Sequence, residues 1–78
     1  MYIIFQLPSG AGGQAALHYN RRITHSIEQW LAQNKITDYD IRTKPYKLEF
    51  TMSEEHLYTL FLLAWNEPNL PVPKLVLH

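Results

Sequence analysis

Cysteine is absent from this chain of 78 residues, so neither disulfide bonds nor thiolate chemistry contributes to its fold or function. That absence fits a reducing compartment. A chain of this length is near the lower size limit at which one hydrophobic core can hold a fold. Because 46% of the residues are hydrophobic, such a core is feasible, and we expect one domain over residues 1–78.

The chain also lacks an excess of charge of either sign. Seven Lys and Arg residues balance seven Asp and Glu residues, which gives a formal net charge of zero. No field of the whole protein therefore collects nucleic acid or anionic lipid. Binding of that kind would need a local cluster of positive charge.

Long hydrophobic segments are missing as well. The longest apolar run, Leu60 to Trp65, is far too short to span a bilayer. The first ten residues, MYIIFQLPSG, have neither the basic start nor the apolar length of a signal peptide. We therefore expect a cytoplasmic protein.

Hydrophobic periodicity predicts six secondary-structure elements. Alternation of apolar and polar residues predicts strands, and a period of 3.6 predicts helices. The predicted strands cover residues 2–7, 37–43, 46–52 and 74–78, and the predicted helices cover 14–34 and 54–65. The order β-α-β-β-α-β predicts an α+β, ferredoxin-like fold, in which two helices cover one face of a four-stranded antiparallel sheet. The first and third strands, which are the most apolar, should be central. In the third strand, Tyr46, Leu48, Phe50 and Met52 should face the core.

Local signals refine two of these elements. Ser53 offers an N-cap hydroxyl, and Glu54 and Glu55 place negative charge at the start of the second helix. The alternative is that residues 57–65 form a strand, since periodicity alone does not decide so short an apolar run. At the end of the first helix, Asn34 suits a left-handed cap.

The first helix is amphipathic. Its core-facing side should carry Ala16, Tyr19, Ile23, Ile27, Trp30 and Leu31. Its opposite side should carry Gln14, His18, Arg21, Arg22, His25 and Gln29, which makes a basic stripe that bears histidine.

A glycine-rich segment, Ser9 to Gly13, follows the first strand. Backbone N–H groups in such a setting can hold phosphate. The segment has neither the Gly-Lys-Ser/Thr ending of a P-loop nor the spacing G-x-G-x-x-G. We interpret it as a mobile connection.

Metal and catalytic sites are not indicated. His18 and His25 are seven residues apart, whereas two histidines that bind one ion from a helix are usually four apart. Solubility of an edge strand or helix capping already explains the carboxylates Asp38, Asp40, Glu49, Glu54 and Glu55. We expect no cofactor, no metal and no enzymatic activity.

Nucleic-acid binding is the alternative function. The segment Ile4 to Pro8 resembles the first-strand motif of RNA-recognition domains, which stack bases on aromatic residues of two central strands. The segment Lys47 to Thr51 lacks the glycine and the paired exposed aromatic residues of the third-strand motif. The residues available for phosphate or an acidic partner are His18, Arg21, Arg22 and His25.

Surplus apolar residues indicate a protein-binding surface, because exposed apolar patches on small proteins usually mark interfaces. We expect Tyr58, Leu62 and Trp65 on the outer side of the second helix, and Tyr2 and Ile4 on the open face of the sheet. The partner would be another protein or a second copy of the chain. The alternative is that residues 66–73 cover this surface with Leu70 and Val72.

The helical segment Leu60 to Trp65, with sequence LFLLAW, follows an alternating strand and two acidic residues. This arrangement resembles segments of small phage-encoded proteins, among them anti-CRISPR inhibitors. The resemblance implies an inhibitor that binds a host or defence complex. It assigns no functional residue, because those proteins share no motif.

Overall fold

The computed structural model describes residues 1–8 and 13–77. Its elements are β1 (Tyr2–Gln6), α1 (Gln14–Gln33), β2 (Tyr39–Lys44), β3 (Lys47–Met52), α2 (His56–Ala64) and β4 (Lys74–Val76). The predicted order of elements is confirmed, and the alternative strand over residues 57–65 is wrong. The interpretation of Ser9 to Gly13 as a mobile connection falls, except for Gly13, outside the described residues.

The sheet is four-stranded and antiparallel, with the order β2-β3-β1-β4. The prediction that β1 and β3 are central is therefore confirmed. Ile3 lies opposite Phe50, and Phe5 lies opposite Leu48. Because alternate residues of a strand share a face, these four fully buried side chains form one core-facing surface.

The two helices contribute further core side chains. The core combines residues of α1, α2 and the sheet with Leu7 and Leu70, which lie outside these elements. Its members are Ile23, Ile27, Leu31, Tyr58, Phe61, Ile3, Phe5, Leu7, Leu48, Phe50, Met52 and Leu70. The predicted inner side of α1 is confirmed, since all six of its residues belong to this core or pack against it. The six residues of the predicted outer side are exposed.

The end of α1 differs from the prediction in one residue. Lys35, not Asn34, has the left-handed conformation, with φ of 57°. The N–H of Ile36 donates to the Leu31 carbonyl at 2.9 Å, and the N–H of Lys35 donates to the Ala32 carbonyl at 3.2 Å. These two bonds form a Schellman motif, which normally places glycine at the left-handed position.

The start of α2 also differs from the prediction. Ser53 is not the N-cap. The helix begins at His56, and the N-cap residue before it, Glu55, makes no side-chain capping hydrogen bond. The N–H groups of Leu57 and Tyr58 instead donate to the carbonyls of Glu54 and Glu55, both at 3.2 Å. These tighter i to i+3 bonds satisfy donors at the helix start that a cap would otherwise take.

The limits of β2 and β3 at the turn between them differ from the prediction by one residue. β2 ends at Lys44 instead of Thr43, and β3 begins at Lys47 instead of Tyr46. Pro45 and Tyr46 form a two-residue turn, so the expectation that Tyr46 faces the core is wrong. Its side chain is 64% exposed. Its carbonyl accepts a hydrogen bond from the Leu7 N–H at 2.9 Å, which joins the turn to the end of β1.

Candidate functional site

Tyr58 is a core residue, which overturns its predicted place in a partner-binding surface. Only 3% of its area is exposed. Its hydroxyl accepts a hydrogen bond from the Met52 N–H at 2.8 Å and lies 3.1 Å from the Met52 carbonyl and 3.2 Å from the Met1 carbonyl, to which it can donate. Tyr58 therefore ties α2 to the end of β3 and cannot meet a partner.

An aromatic cluster explains which side of α2 faces inward. The ring of Phe61 lies 5.1 Å from both Trp30 and Phe50, and 5.6 Å from Trp65. The Trp65 ring lies 4.9 Å from Phe5. The half-buried Trp65 thus belongs partly to the core. Among the described residues, its buried indole Nε1 has no hydrogen-bond partner.

The inner side of α2 is therefore rotated from the predicted one. Tyr58, Phe61, Leu62 and Trp65 have the spacing i, i+3, i+4, i+7 of one helical face, and all are buried or half-buried. In a helix this short and this uniformly apolar, the sequence allows several such faces. The size of the three aromatic residues is the signal that favours this one.

Leu60 and Leu63 form the outer side of α2, which sequence reasoning did not identify. Leu60 is 50% exposed and Leu63 is 80% exposed. Leucine is a residue that folded proteins usually bury. Two of them, three residues apart on one helical face, form an apolar patch that the fold itself does not use.

The segment after α2 covers part of the core but not all of the apolar surface. Leu70 is buried and Pro73 is buried, whereas Val72 is 73% exposed. The segment is anchored to α1, because the Ser26 hydroxyl donates to Glu67 Oε2 at 3.2 Å. Leu70 therefore belongs to the core, whereas the exposed Val72 does not fit the alternative that it covers the surface of α2.

A groove lies between the end of α2 and this segment. Its volume is about 470 Å³, and its lining residues are Leu62, Trp65, Asn66, Glu67, Pro68, Leu70, Val72 and Pro73. Two residues predicted to bind a partner, Leu62 and Trp65, thus come together here. They reach the surface as walls of a groove rather than as a protruding patch.

Tyr2 and Ile4 lie on the open face of the sheet, as predicted. Both are half-buried. Tyr2 is opposite Val76 and Ile4 is opposite Lys74 on β4. On the other side of β1, Glu49 is opposite Ile4. The apolar part of this face is therefore small and adjoins charged residues.

Ion pairs dominate the other half of the open face. Glu49 lies 3.1 Å from Lys44 Nζ and 3.7 Å from Lys47 Nζ. The hydrogen bond from Lys44 is the main reason that the pKa of Glu49 is lower than its ordinary value of 4.5, and burial opposes this effect. Next to it, Arg42 Nε donates to Asp40 Oδ2 at 2.7 Å, which raises the pKa of Arg42. These pairs leave the face with mixed charge.

The basic stripe of α1 is partly brought together. Arg21, Arg22 and His25 line one open depression of about 290 Å³, together with Ser26, Gln29 and Glu67. His18 is exposed but does not line it, and its ring lies 6.5 Å from that of Tyr19. Glu67 adds negative charge, so the depression is not uniformly basic.

No cluster of three or more His, Asp or Glu residues with the geometry of a metal site occurs in the described part of the chain. Neither of the helices in residues 1–8 and 13–77 combines the length and hydropathy that crossing a membrane requires.

Comparison of the chain with protein-family models, with curated protein sequences and with solved structures finds no match. Arguments about function therefore depend on the chain's own surfaces.

Proposed function

We propose that the protein is a non-enzymatic protein-interaction domain with a ferredoxin-like fold. The element order and the sheet order β2-β3-β1-β4 support the fold. Its binding site would be the α2 contact surface, which we define as Leu60, Leu62, Leu63, Trp65 and Val72. This fold serves many unrelated functions, so the argument rests on that surface and not on the architecture.

The exposure of Leu63 carries the proposal. At 80% exposure, its side chain gains almost nothing from folding. Removing apolar area from water contributes about 25 cal/mol of free energy per Å². A partner that covers Leu63 and Leu60 would therefore gain binding free energy from apolar area that folding leaves exposed. Contiguous exposed apolar patches on small proteins usually mark such an interface, and Leu60 and Leu63 lie next to each other on one helical face.

The groove beside α2 complements this patch. Trp65 forms one wall and is held by its contacts with Phe5 and Phe61. A rigid aromatic wall loses little conformational freedom when a partner binds. The exposed Val72 stands at the same groove. An apolar side chain of the partner would fit between them, while Leu63 packs beside it.

An inhibitor of a host or defence complex is one specific form of this proposal. Such an inhibitor acts by covering a surface of its target, and it needs no catalytic group. The α2 contact surface supplies apolar anchors of the kind that dominate binding energy in protein interfaces.

Quantitative affinity capture from the source cell tests the proposal. The wild-type protein and the Leu63→Asp and Val72→Asp variants are immobilised, and captured proteins are compared by mass spectrometry. We expect one partner or complex to be captured by the wild type and lost with both variants. Circular dichroism checks that the variants are folded. Tyr58 is unsuitable for this test, because its substitution would disturb the core.

The matched control is Leu17→Asp. Leu17 is 52% exposed, lies on α1 and lines a depression that includes no residue of the α2 contact surface. This variant should capture the same partner as the wild type. If Leu63→Asp and Val72→Asp capture it equally well, the proposed surface is wrong.

Nucleic-acid binding is the second candidate, and the depression with Arg21, Arg22 and His25 favours it. Few cations give weak, salt-dependent binding. We expect retention on single-stranded RNA at low salt that is lost when Arg21 and Arg22 are both changed to Glu. If the wild type is not retained at low salt, this candidate is excluded.

A further inference from the structure

Among residues 1–8 and 13–77, no strand pairs with the outer edge of β2, and the hydrogen-bonding pattern identifies which of its backbone groups point outward. The N–H of Leu7 donates to the Tyr46 carbonyl, so the backbone groups of Tyr46 point toward β1. Those of the next residue, Lys47, point the other way, toward β2 and its partner Lys44.

The same alternation continues along β2. Because Lys44 bonds toward β3, Arg42 and Asp40 do so as well. The N–H and C=O groups of the intervening residues therefore point out of the sheet, and these residues are Tyr39, Ile41 and Thr43. All residues of β2 are exposed except the half-buried Ile41, so the edge is open to another strand.

The side chains of this edge are complementary to themselves in antiparallel order. If Ile41 lies opposite its own copy, Asp40 lies opposite Arg42 and Asp38 lies opposite Lys44. Tyr39 then lies opposite Thr43. Every charged residue of the segment thus meets a residue of opposite charge in the second copy.

We propose that the chain forms a homodimer by antiparallel pairing of β2 with β2 of a second copy, with the twofold axis at Ile41. The two sheets then form one continuous sheet, with the helices of both copies on the same side. This interface is separate from the α2 contact surface and does not depend on the function proposed for it.

The backbone pattern agrees with this register. Ile41 pairs with Ile41, and Tyr39 pairs with Thr43, so all the outward-pointing groups meet each other as hydrogen-bonded pairs. Asp40 and Arg42 then form non-hydrogen-bonded pairs, in which the side chains of opposite strands are closest, with Cα atoms about 4.5 Å apart. The ionic contacts are therefore placed where cross-strand side chains interact best.

Neighbouring registers are disfavoured by charge. A shift that keeps the hydrogen bonds must move the axis by one residue, to Asp40 or to Arg42. The first places Asp40 opposite Asp40, and the second places Arg42 opposite Arg42. Like charges directly opposite are destabilising, so the register at Ile41 is selected.

The opposite face of the paired strands would add apolar contacts. Ile41 packs against the core of its own chain and is half-buried, and Tyr39 is 39% exposed. Pairing brings the two Ile41 side chains together and places each Tyr39 beside a Thr43, an aromatic with a β-branched residue. The charged residues of β2, which discourage pairing with unrelated strands, thus permit pairing with β2 of a second copy.

Sedimentation equilibrium with two charge-reversed variants tests the proposal. Protein concentrations from about 10 µM to about 1 mM cover the range expected for a small interface. We expect the wild type to approach twice the mass of one chain as concentration rises. Asp40→Arg and Arg42→Asp should each weaken self-association by about tenfold or more, because both ionic pairs become repulsive.

The decisive sample is an equimolar mixture of the two variants. In a mixed dimer, Arg at position 40 meets Asp at position 42, and Arg42 meets Asp40, so both pairs are again attractive. We expect the mixture to dimerise like the wild type. Lys74→Glu, on the opposite edge strand β4, is the control that should leave dimerisation unchanged.

Three outcomes would overturn the proposal. They are a wild type that has the mass of one chain throughout, variants that dimerise as well as the wild type, and a mixture that fails to recover association. Because Arg42 and Asp40 have side chains that are 73% and 55% exposed, their reversal leaves the core intact.

Discussion

The Tyr58 hydroxyl accepts a hydrogen bond from the Met52 N–H at 2.8 Å and lies 3.1 Å from the carbonyl of the same residue. Met52 is the last residue of β3, and Tyr58 is in the first turn of α2. In β3, Met52 lies two residues beyond Phe50, the last residue paired with β1, so one side chain contacts both backbone groups of a residue that β1 does not pair with. It joins the start of α2 to the end of β3.

Replacing Tyr58 with Phe should lower the free energy of unfolding by about 1–3 kcal/mol, because the buried Met52 N–H loses its acceptor. Urea denaturation measures the change. Tyr46→Phe is the control: its ring is 64% exposed, and its loss should stay within about 0.5 kcal/mol. Equal effects of the two changes would contradict the structural role of Tyr58.

Replacing Lys35 with Gly should stabilise the protein by about 0.4–1 kcal/mol, because glycine adopts the left-handed conformation at the end of α1 without strain. The measured quantity is the thermal or urea unfolding midpoint. Lys35→Ala removes the same charge but keeps Cβ, so it should give no such gain. A destabilising Gly substitution would show that the left-handed conformation at Lys35 is not strained.

Leu70 and Val72 should respond differently to truncation, although they are two residues apart. Leu70 is 6% exposed, so Leu70→Ala should cost about 2–4 kcal/mol of unfolding free energy. Val72 is 73% exposed, so Val72→Ala should cost less than about 0.5 kcal/mol. If both cost the same, the segment does not cover the core in the way described.

Glu49 should make the stability depend on pH in the acidic range. Its folded pKa is lower than its ordinary value of 4.5, chiefly because Lys44 donates a hydrogen bond to it. The stabilisation is therefore complete above about pH 4.5 and is lost as the pH falls through the folded pKa. The urea midpoint of the wild type should decline more over this range than that of Glu49→Gln.

Lys44→Met provides the matched test of the cause. Without the Lys44 ammonium group, the pKa of Glu49, measured by NMR titration, should move up toward its ordinary value. Lys47 is farther from the carboxylate, at 3.7 Å, so Lys47→Met should move the pKa less. Equal shifts would contradict the ranking of the two interactions.

The sequence predicted the fold well wherever hydrophobic periods were long. The inner side of α1 and the alternation of Leu48, Phe50 and Met52 were correct, because each pattern has only one arrangement that buries its apolar residues. The limit at Tyr46 was wrong, because the Tyr46 carbonyl bonds to Leu7, a residue distant in sequence. The limit at Ser53 was wrong, because i to i+3 backbone bonds and not a side-chain cap form the start of α2.

The candidate site was predicted less well, for a related reason. In α2 nearly every residue is apolar, so the pattern does not define which side faces the core. The assignment of Tyr58 to the surface was wrong, and Leu63 was missed. The inner side of this helix packs against the aromatic residues Phe5, Trp30 and Phe50, which come from three other elements and are not visible in the pattern of α2 itself.

The position of β1 between β3 and β4 has a consequence for synthesis on the ribosome. β1 is synthesised before the other three strands of the sheet, yet one of its partners is residues 74–76. The hairpin of β2 and β3 is local and can form early, because short loops close fast. The edge of β1 that pairs with β4, which includes Ile3 and Ile4, stays unpaired until β4 has been synthesised. The nascent chain therefore carries its most apolar strand with an unpaired edge until translation reaches the last strand.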